Sequence, residues 1–349
     1  MSDIEAVVGR CSGRVGAVRL PVTQHTLHAP RIGQGLGKET ARQLHAMNAN
    51  IILACRDVGK GEAVADELRR RSRVRASRAN GGKELSREPG RGGGGVSVME
   101  LDVASFASIE RFASQIESSG SPVHVLINNA GIMAPKFERV GFLEKTFVTN
   151  HLGPFALTLR LLPALARSGT LAQPSRVVNV SSRLEKKGAA QFFAPEGHED
   201  SMTRAYSPFK AYGTSKLANI MFSNELERLC LLNGVHITAN SVTPGMIPGS
   251  DLGRDMAPWV LRAVLKPFGW LLCKSTSEGA LTTVFAAAAP ELAAVGSGGR
   301  FLDVWKPGLS ASPSAQSGDA DAAARLWRQS VKASGVSCSL LEGATDLGP

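Results

Sequence analysis

The sequence predicts a single α/β domain: a doubly wound parallel β-sheet with helices on both faces. Three observations carry this. Short apolar runs alternate along the chain with longer segments of helical periodicity; that alternation implies βαβ units and right-handed crossovers. Runs such as Asn50–Cys55 (NIILAC) are apolar throughout, as strands buried on both faces must be. Small or polar residues follow the runs, at Arg56, Asp102, Asn128–Gly131, Ser182 and Pro244–Gly245. The carboxyl ends of the strands are where such sheets bind ligands.

Taken in order, residues 1–30 form an atypical N-terminal segment and the domain is expected over 31–335, with 336–349 a tail. Gly35-Leu36-Gly37 opens a helix over Lys38–Asn48, and NIILAC is the strand after it. A helix over Lys60–Arg71 leads into an Arg/Gly-rich tract at 69–95, expected to be a disordered insertion because it holds too few apolar residues to pack. Val96–Val103 and Val123–Ile127 are strands on either side of a helix at Ser105–Glu117, with Ser105 as its N-cap. A long helical region, Phe142–Arg167, precedes the strand Arg176–Val180. Ala211–Leu232 is an amphipathic helix and Val235–Val242 a strand. Ser275–Ala289 is a helix and Arg300–Val304 the last strand.

Composition excludes several classes. No run approaches the roughly 18 apolar residues of a membrane span, since the greasiest stretch, Trp259–Cys273, is broken by Arg262, Lys266, Pro267 and Gly269. The first thirty residues lack a signal-peptide apolar core. Cys11, Cys55, Cys230, Cys273 and Cys338 are scattered without metal-ligand spacing. They read as a reducing compartment, cytoplasmic or organellar, with no metal site and no secretion. Of the net charge of +10, residues Arg69–Gly95 supply +7. Such a tract attracts nucleic acid or an acidic membrane surface without specificity, but it has no interleaved aromatics. A solvated surface loop is the favoured reading, with no specific nucleic-acid partner and peripheral membrane contact left open.

The chemistry centres on Tyr212-Gly213-Thr214-Ser215-Lys216. Residues four apart share a helical face, so Tyr212 and Lys216 aim at one spot. A phenol with a pKa of about 10 is a poor acid or base at neutral pH. A neighbouring ammonium is expected to lower it, toward the range that general acid–base catalysis needs. Tyr206 reads as packing, Ser181 as a turn residue and Lys210 as a solvated charge.

The set NNAG at 128–131, Asn150 in NHLGPF, VVNVSS at 177–182, YGTSK at 212–216 and PG at 244–245 resembles the classical short-chain dehydrogenase/reductase family. The resemblance runs from about Gly33 to Val331. ACRD at 54–57, SKLANIMFSNEL at 215–226 and SPSAQS at 312–317 followed by ARLW at 324–327 look most like its retinol-dehydrogenase and WW-domain-oxidoreductase branch, without a WW domain. The resemblance implies a Rossmann-type fold and hydride transfer between a nicotinamide cofactor and a lipophilic alcohol or carbonyl. It implies Tyr212 as general acid/base, Lys216 as its pKa partner and ribose ligand, Ser182 as the donor to the substrate oxygen and Asn150 as the holder of a relay water. The implied cofactor-binding set is Gly33, Gly35, Leu36, Gly37, Arg56, Asp102, Val103, Asn129, Ala130, Gly131, Tyr212, Lys216, Pro244 and Gly245. A substrate-covering region is implied over Met246–Ser275, rich in Trp259, Leu261, Phe268 and Trp270.

NAD enzymes usually carry an acid about 20 residues past the glycines. Arg56 stands at that strand end and can pair with a 2′-phosphate, so NADP(H) is favoured and NAD(H) is the alternative, Asp57 being the reason to keep it. The chain departs from the family at the start of the glycine motif. Pro30 and Arg31 fall where the family has Thr and Gly, and Thr23–Ala29 (TQHTLHA) lacks the apolar run of a central strand. Either that segment is foreign to a working enzyme, or the chain is an impaired family member that acts as an interaction protein. A homo-oligomer is compatible with either reading.

Overall fold

The computed structural model describes residues 25–29, 35–79, 94–193, 206–247, 274–305 and 309–344. Their strands are β1 His25–Ala29, β2 Asn50–Cys55, β3 Val96–Glu100, β4 Val125–Asn128, the short hairpin of β5 Arg139–Val140 and β6 Leu143–Glu144, then β7 Ser175–Val180, β8 Ile237–Val242 and β9 Phe301–Leu302. The helices are α1 Leu36–Ala46, α2 Val58–Ala79, α3 Phe106–Ser119, α4 Gly153–Ser168, α5 Pro208–Leu232, α6 Thr276–Ala288 and α7 Ala320–Ser334. Seven strands form one parallel sheet in the order β3-β2-β1-β4-β7-β8-β9.

Strand alternation explains how the sheet acquires two cores. Successive side chains on a strand point to opposite faces. Ile51 and Leu53 therefore pack with Leu44 of α1, Val64 and Leu68 of α2 and Phe285 of α6. Ile52 and Ala54 pack with Phe112 of α3, Phe155 of α4, Phe222 of α5 and Trp327 of α7. The fold is the predicted one: a doubly wound sheet with helices on both faces.

Four expectations need correction. The first strand exists. Residues 25–29 occupy the centre of the sheet, in parallel register with β2 and with β4, so the domain reaches back at least to His25. Ladder hydrogen bonds come from the backbone and do not need an apolar sequence; two strongly apolar neighbours suffice to hold the place. Second, α2 continues to Ala79, so residues 69–79 of the expected insertion are helical. Part of their charge is engaged: Arg69 donates to Asp66 and to the Val96 carbonyl, Arg71 to Glu67 and Arg75 to the Ala46 carbonyl. The rest of the tract, 80–93, lies outside the described residues. Third, the long helical region over Phe142–Arg167 is composite: β6, one turn at Lys145–Phe147, a π-type turn at Val148–Leu152, then α4. Fourth, the start of the expected tail is packed, since Val336 and Leu341 are buried against the α3–α4 side of the sheet.

Among the described residues, no helix is long and apolar enough to cross a membrane, and no group of three or more His, Cys, Asp or Glu could hold a metal ion.

Candidate active site

The site is built where β1, β2, β3, β4, β7 and β8 end. Helix α5 supplies its centre. Ser207 caps it by accepting from the Lys210 amide, and Pro208 stands in the first turn, where its missing N–H costs nothing. Tyr212 and Lys216 both face inward and are almost wholly buried. Lys216 Nζ lies 5.4 Å from the centre of the Tyr212 ring and donates to the Val180 carbonyl at 2.7 Å. Ser182 lies beside the Tyr212 hydroxyl and draws its pKa down. Ser182 Oγ also accepts from the Leu184 amide at 3.2 Å, capping the short helical turn Arg183–Lys187.

Asn150 arrives through the π-type turn. Such a turn carries one extra residue, which lets neighbouring side chains both point inward. Asn150 takes the Ile132 amide at 2.7 Å and gives to the Ile132 carbonyl at 2.8 Å and to Ser215 Oγ at 3.0 Å. His151, next to it, faces Asn219 and Ser330. Burial holds the His151 pKa down at about 3, the bond to Asn219 pulling weakly upward, so it stays neutral. Gly131 sits between these groups: a methyl there would lie 3.4 Å from Lys216 Nζ and 3.7 Å from Asn150 Oδ1. The expected tetrad of Asn150, Ser182, Tyr212 and Lys216 thus surrounds one spot.

The electrostatics differ from expectation in one respect. Burial raises the Tyr212 pKa above the ordinary phenol value, and the neighbouring Ser182 only partly opposes it. Burial also brings Lys216 down to about 7. The ammonium that was to lower the phenol is itself desolvated, half discharged at neutral pH and aimed at a carbonyl. In this state Tyr212 is a protonated donor.

The expected dinucleotide cleft fits where it is described. Gly35 caps α1 in extended conformation, and a side chain there would meet none of the described residues within 4 Å; a helix N-terminus of this kind suits a pyrophosphate. Leu36 and Gly37 follow in its first turn. Arg56 is exposed just past β2. Asp102 lies past β3, its Oδ1 accepting from the Ala104 amide at 2.9 Å. Val103 is buried, and its carbonyl touches Gly153 so closely that a methyl there would come within 1.8 Å. Among the described residues Asn129 Oδ1 is buried without a hydrogen-bond partner, as a polar atom that a ligand would satisfy is. Ala130 and Gly131 continue that loop. Pro244 precedes Gly245, whose φ of +80° is one that glycine alone adopts cheaply. Gly33, Arg31 and the segment 248–273 with Trp259, Leu261, Phe268 and Trp270 lie outside the described residues.

Two other expectations resolve structurally. Ser181 is buried and its Oγ donates to the Lys216 carbonyl at 2.7 Å, clamping α5 to the end of β7. Tyr206 donates to the Ala134 carbonyl at 2.9 Å and packs edge-on against Phe137 at 5.6 Å.

A family model described as short chain dehydrogenase matches residues 72–194. Mouse polyprenol dehydrogenase is 36% identical over 303 residues, covering 86% of this chain and 81% of its own. The chain belongs to the short-chain dehydrogenase/reductase family. Human retinol dehydrogenase 14 is 36% identical over 296 residues, covering 84% of this chain and 81% of its own, so the likeness lies with the retinol-dehydrogenase-like branch. A crystal structure of an uncharacterised protein from Mycobacterium paratuberculosis shares the fold at a TM-score of 0.64 and 29% identity, covering 92% of this chain and 96% of its own. As a member of this family the chain is an oxidoreductase related to retinol and polyprenol dehydrogenases.

Sequence reasoning missed the groups that brace the tetrad. Ser215 Oγ bridges Asn150 and the Tyr212 carbonyl. Asp303 receives Arg183 and Lys274, and Glu185 receives Ser314. Ser215 and Ser314 carried a signal, as parts of the YGTSK and SPSAQS runs, though neither was given this role.

Proposed function

We propose that the chain transfers a hydride between NADP(H) and a lipophilic alcohol or carbonyl. The observation that carries this is the convergence of Tyr212, Ser182, Lys216 and Asn150 on one buried spot beside Gly131. In this reading Tyr212 Oη gives its proton to the substrate oxygen on reduction and takes it back on oxidation. Ser182 Oγ holds that oxygen. With a cofactor bound, Lys216 would exchange the Val180 carbonyl for ribose hydroxyls, and its restored charge would pull the phenol toward neutral pH. Asn150 holds the water through which protons return to Lys216. Gly35–Gly37, Arg56, Asp102, Val103, Asn129–Gly131 and Pro244–Gly245 would hold NADP(H), which would supply the hydride.

NADP(H) over NAD(H) is supported by the end of β2. Arg56 is exposed there, while Asp57 is engaged elsewhere: it accepts from the Lys60 amide at 2.9 Å and pairs with Lys60 Nζ at 2.8 Å. Lipophilic substrates are supported by exposed apolar side chains on elements that carry the site, namely Phe209, Met246 and Trp305. Polyprenol and retinol, for which the two relatives are named, are both lipophilic alcohols.

The test is NADPH oxidation by the full chain with a lipophilic aldehyde, beside Tyr212→Phe. Turnover is expected for the wild type, and a loss of at least about a hundredfold in the variant with NADPH still bound. Equal rates in both proteins would take Tyr212 out of the mechanism.

A further inference from the structure

Asp303 follows the two-residue strand β9 and is completely buried. Its carboxylate is saturated. Arg183 Nη2 donates to Oδ2, Lys274 Nζ donates to Oδ1 at 3.2 Å, and the Trp305 amide donates to Oδ1 at 3.1 Å. Burial pushes the carboxyl pKa up, but the bonds from Arg183, the Trp305 amide and Lys274 outweigh it and hold the group below the usual carboxylate range.

The two cations belong to the other strand ends. Arg183 is the residue after Ser182. Lys274 lies against Gly245, where a methyl would touch its Cδ, Cε and Nζ at 3.0–3.1 Å, and its amide donates to the Met246 carbonyl at 2.9 Å. The Arg183 side chain keeps its contact with water at 47% exposed, whereas that of Lys274 is only 19% exposed and burial lowers its pKa against the pull of Asp303. The buried partner dictates the geometry. A buried ion pair is weak evidence of a purely stabilising role, so its placement points to a positional one.

We propose that Asp303 is a positioning residue that ties the ends of β7, β8 and β9 together, setting Ser182 through Arg183 and the Pro244–Gly245 loop through Lys274. Glu185 makes a parallel tie. It is fully buried and accepts from the Ser314 amide at 2.9 Å and the Ser314 hydroxyl at 2.5 Å. The turn that begins at Ser182 is thus held at both ends by the segment after β9. The Arg183 arm governs the proton-donating side of the site and the Lys274 arm the cofactor side, so their losses separate.

This inference rests on the oxidoreductase reading. The test uses full-length Arg183→Met, Arg183→Lys, Lys274→Met and Asp303→Asn. Each is assayed for kcat with NADPH and decanal, for NADPH Kd by fluorescence titration, and for Tm. Arg183→Met is expected to lose about tenfold or more in kcat with Kd within about twofold, and Arg183→Lys to recover most of it. Lys274→Met is expected to weaken NADPH by about fivefold with kcat nearly kept. Asp303→Asn combines both defects. If it fails to fold, the partly exposed Arg183 and Lys274 variants carry the test alone. Variants that lower only Tm, with kcat and Kd at wild-type values, overturn the proposal. A wild type that binds NADPH but reduces no carbonyl overturns the functional reading, and this inference with it.

Discussion

Lys216 Nζ donates to the Val180 carbonyl at 2.7 Å, joining the centre of α5 to the last residue of β7. The bond replaces only part of the hydration that the ammonium gave up, which is why burial brings its pKa to about 7. An unfolded lysine titrates near 10.4, roughly. Between these values the unfolded chain binds a proton that the folded chain does not, so stability rises with pH across that window. Below about pH 7 both states carry the proton and the cost is full.

Lys216→Met removes that cost. Its effect on stability is therefore more favourable at pH 6 than at pH 9, by about 2 kcal/mol. Thermal melts of both proteins across this range check it, and Tm curves that run parallel would show that Lys216 is not desolvated as described.

Gly153→Ala tests the floor of the site. The added methyl would meet the Val103 carbonyl at 1.8 Å, and a backbone atom cannot swing aside. Overpacking of this kind costs about 3 kcal/mol. Because Gly153 follows the turn holding Asn150, and Val103 follows Asp102, the same displacement reaches both halves of the site. The expected result is a lower Tm together with weaker NADPH binding. A variant that melts like the wild type would contradict the contact.

What was legible in the sequence follows from range. β2 and β4 are apolar because both faces are buried, so composition alone reveals them; β7 and β8 carry buried polar residues and are read from their β-branched residues and the motifs that follow. Tyr212 and Lys216 lie one helical turn apart and could be paired by counting. β1 was illegible, because its place depends on pairing with strands on either side and not on its own HTLHA sequence. The π-type turn leaves no compositional trace, since it is a shift of hydrogen bonds. Asp303 was hidden for another reason. An acid after a two-residue strand reads as surface, and its partners come from 120 and 29 residues away. The raised Tyr212 pKa escaped likewise: spacing shows that Lys216 is near, and only packing shows that both are dry.

The proposed preference for NADP(H) rests on Arg56. The residue is exposed at the end of β2, beside the expected ribose, and its acidic neighbour Asp57 is committed to Lys60. A charge-assisted pair with a 2′-phosphate is worth about 1.5–3 kcal/mol, or roughly tenfold or more in affinity. NADPH is therefore expected to bind at least about tenfold more tightly than NADH. Arg56→Ala should erase most of that difference by weakening NADPH while leaving NADH unchanged. Because Arg56 is exposed, salt should shrink the preference as well, since screening acts on solvated pairs. Asp57→Ala separates the two residues. If Asp57 serves only to cap α2, its loss lowers stability slightly and leaves the ratio of affinities where it was. Fluorescence titrations of the three proteins with both reduced cofactors decide the matter. A preference for NADPH that survives Arg56→Ala, or one for NADH that vanishes with Asp57→Ala, would move the 2′ subsite away from Arg56.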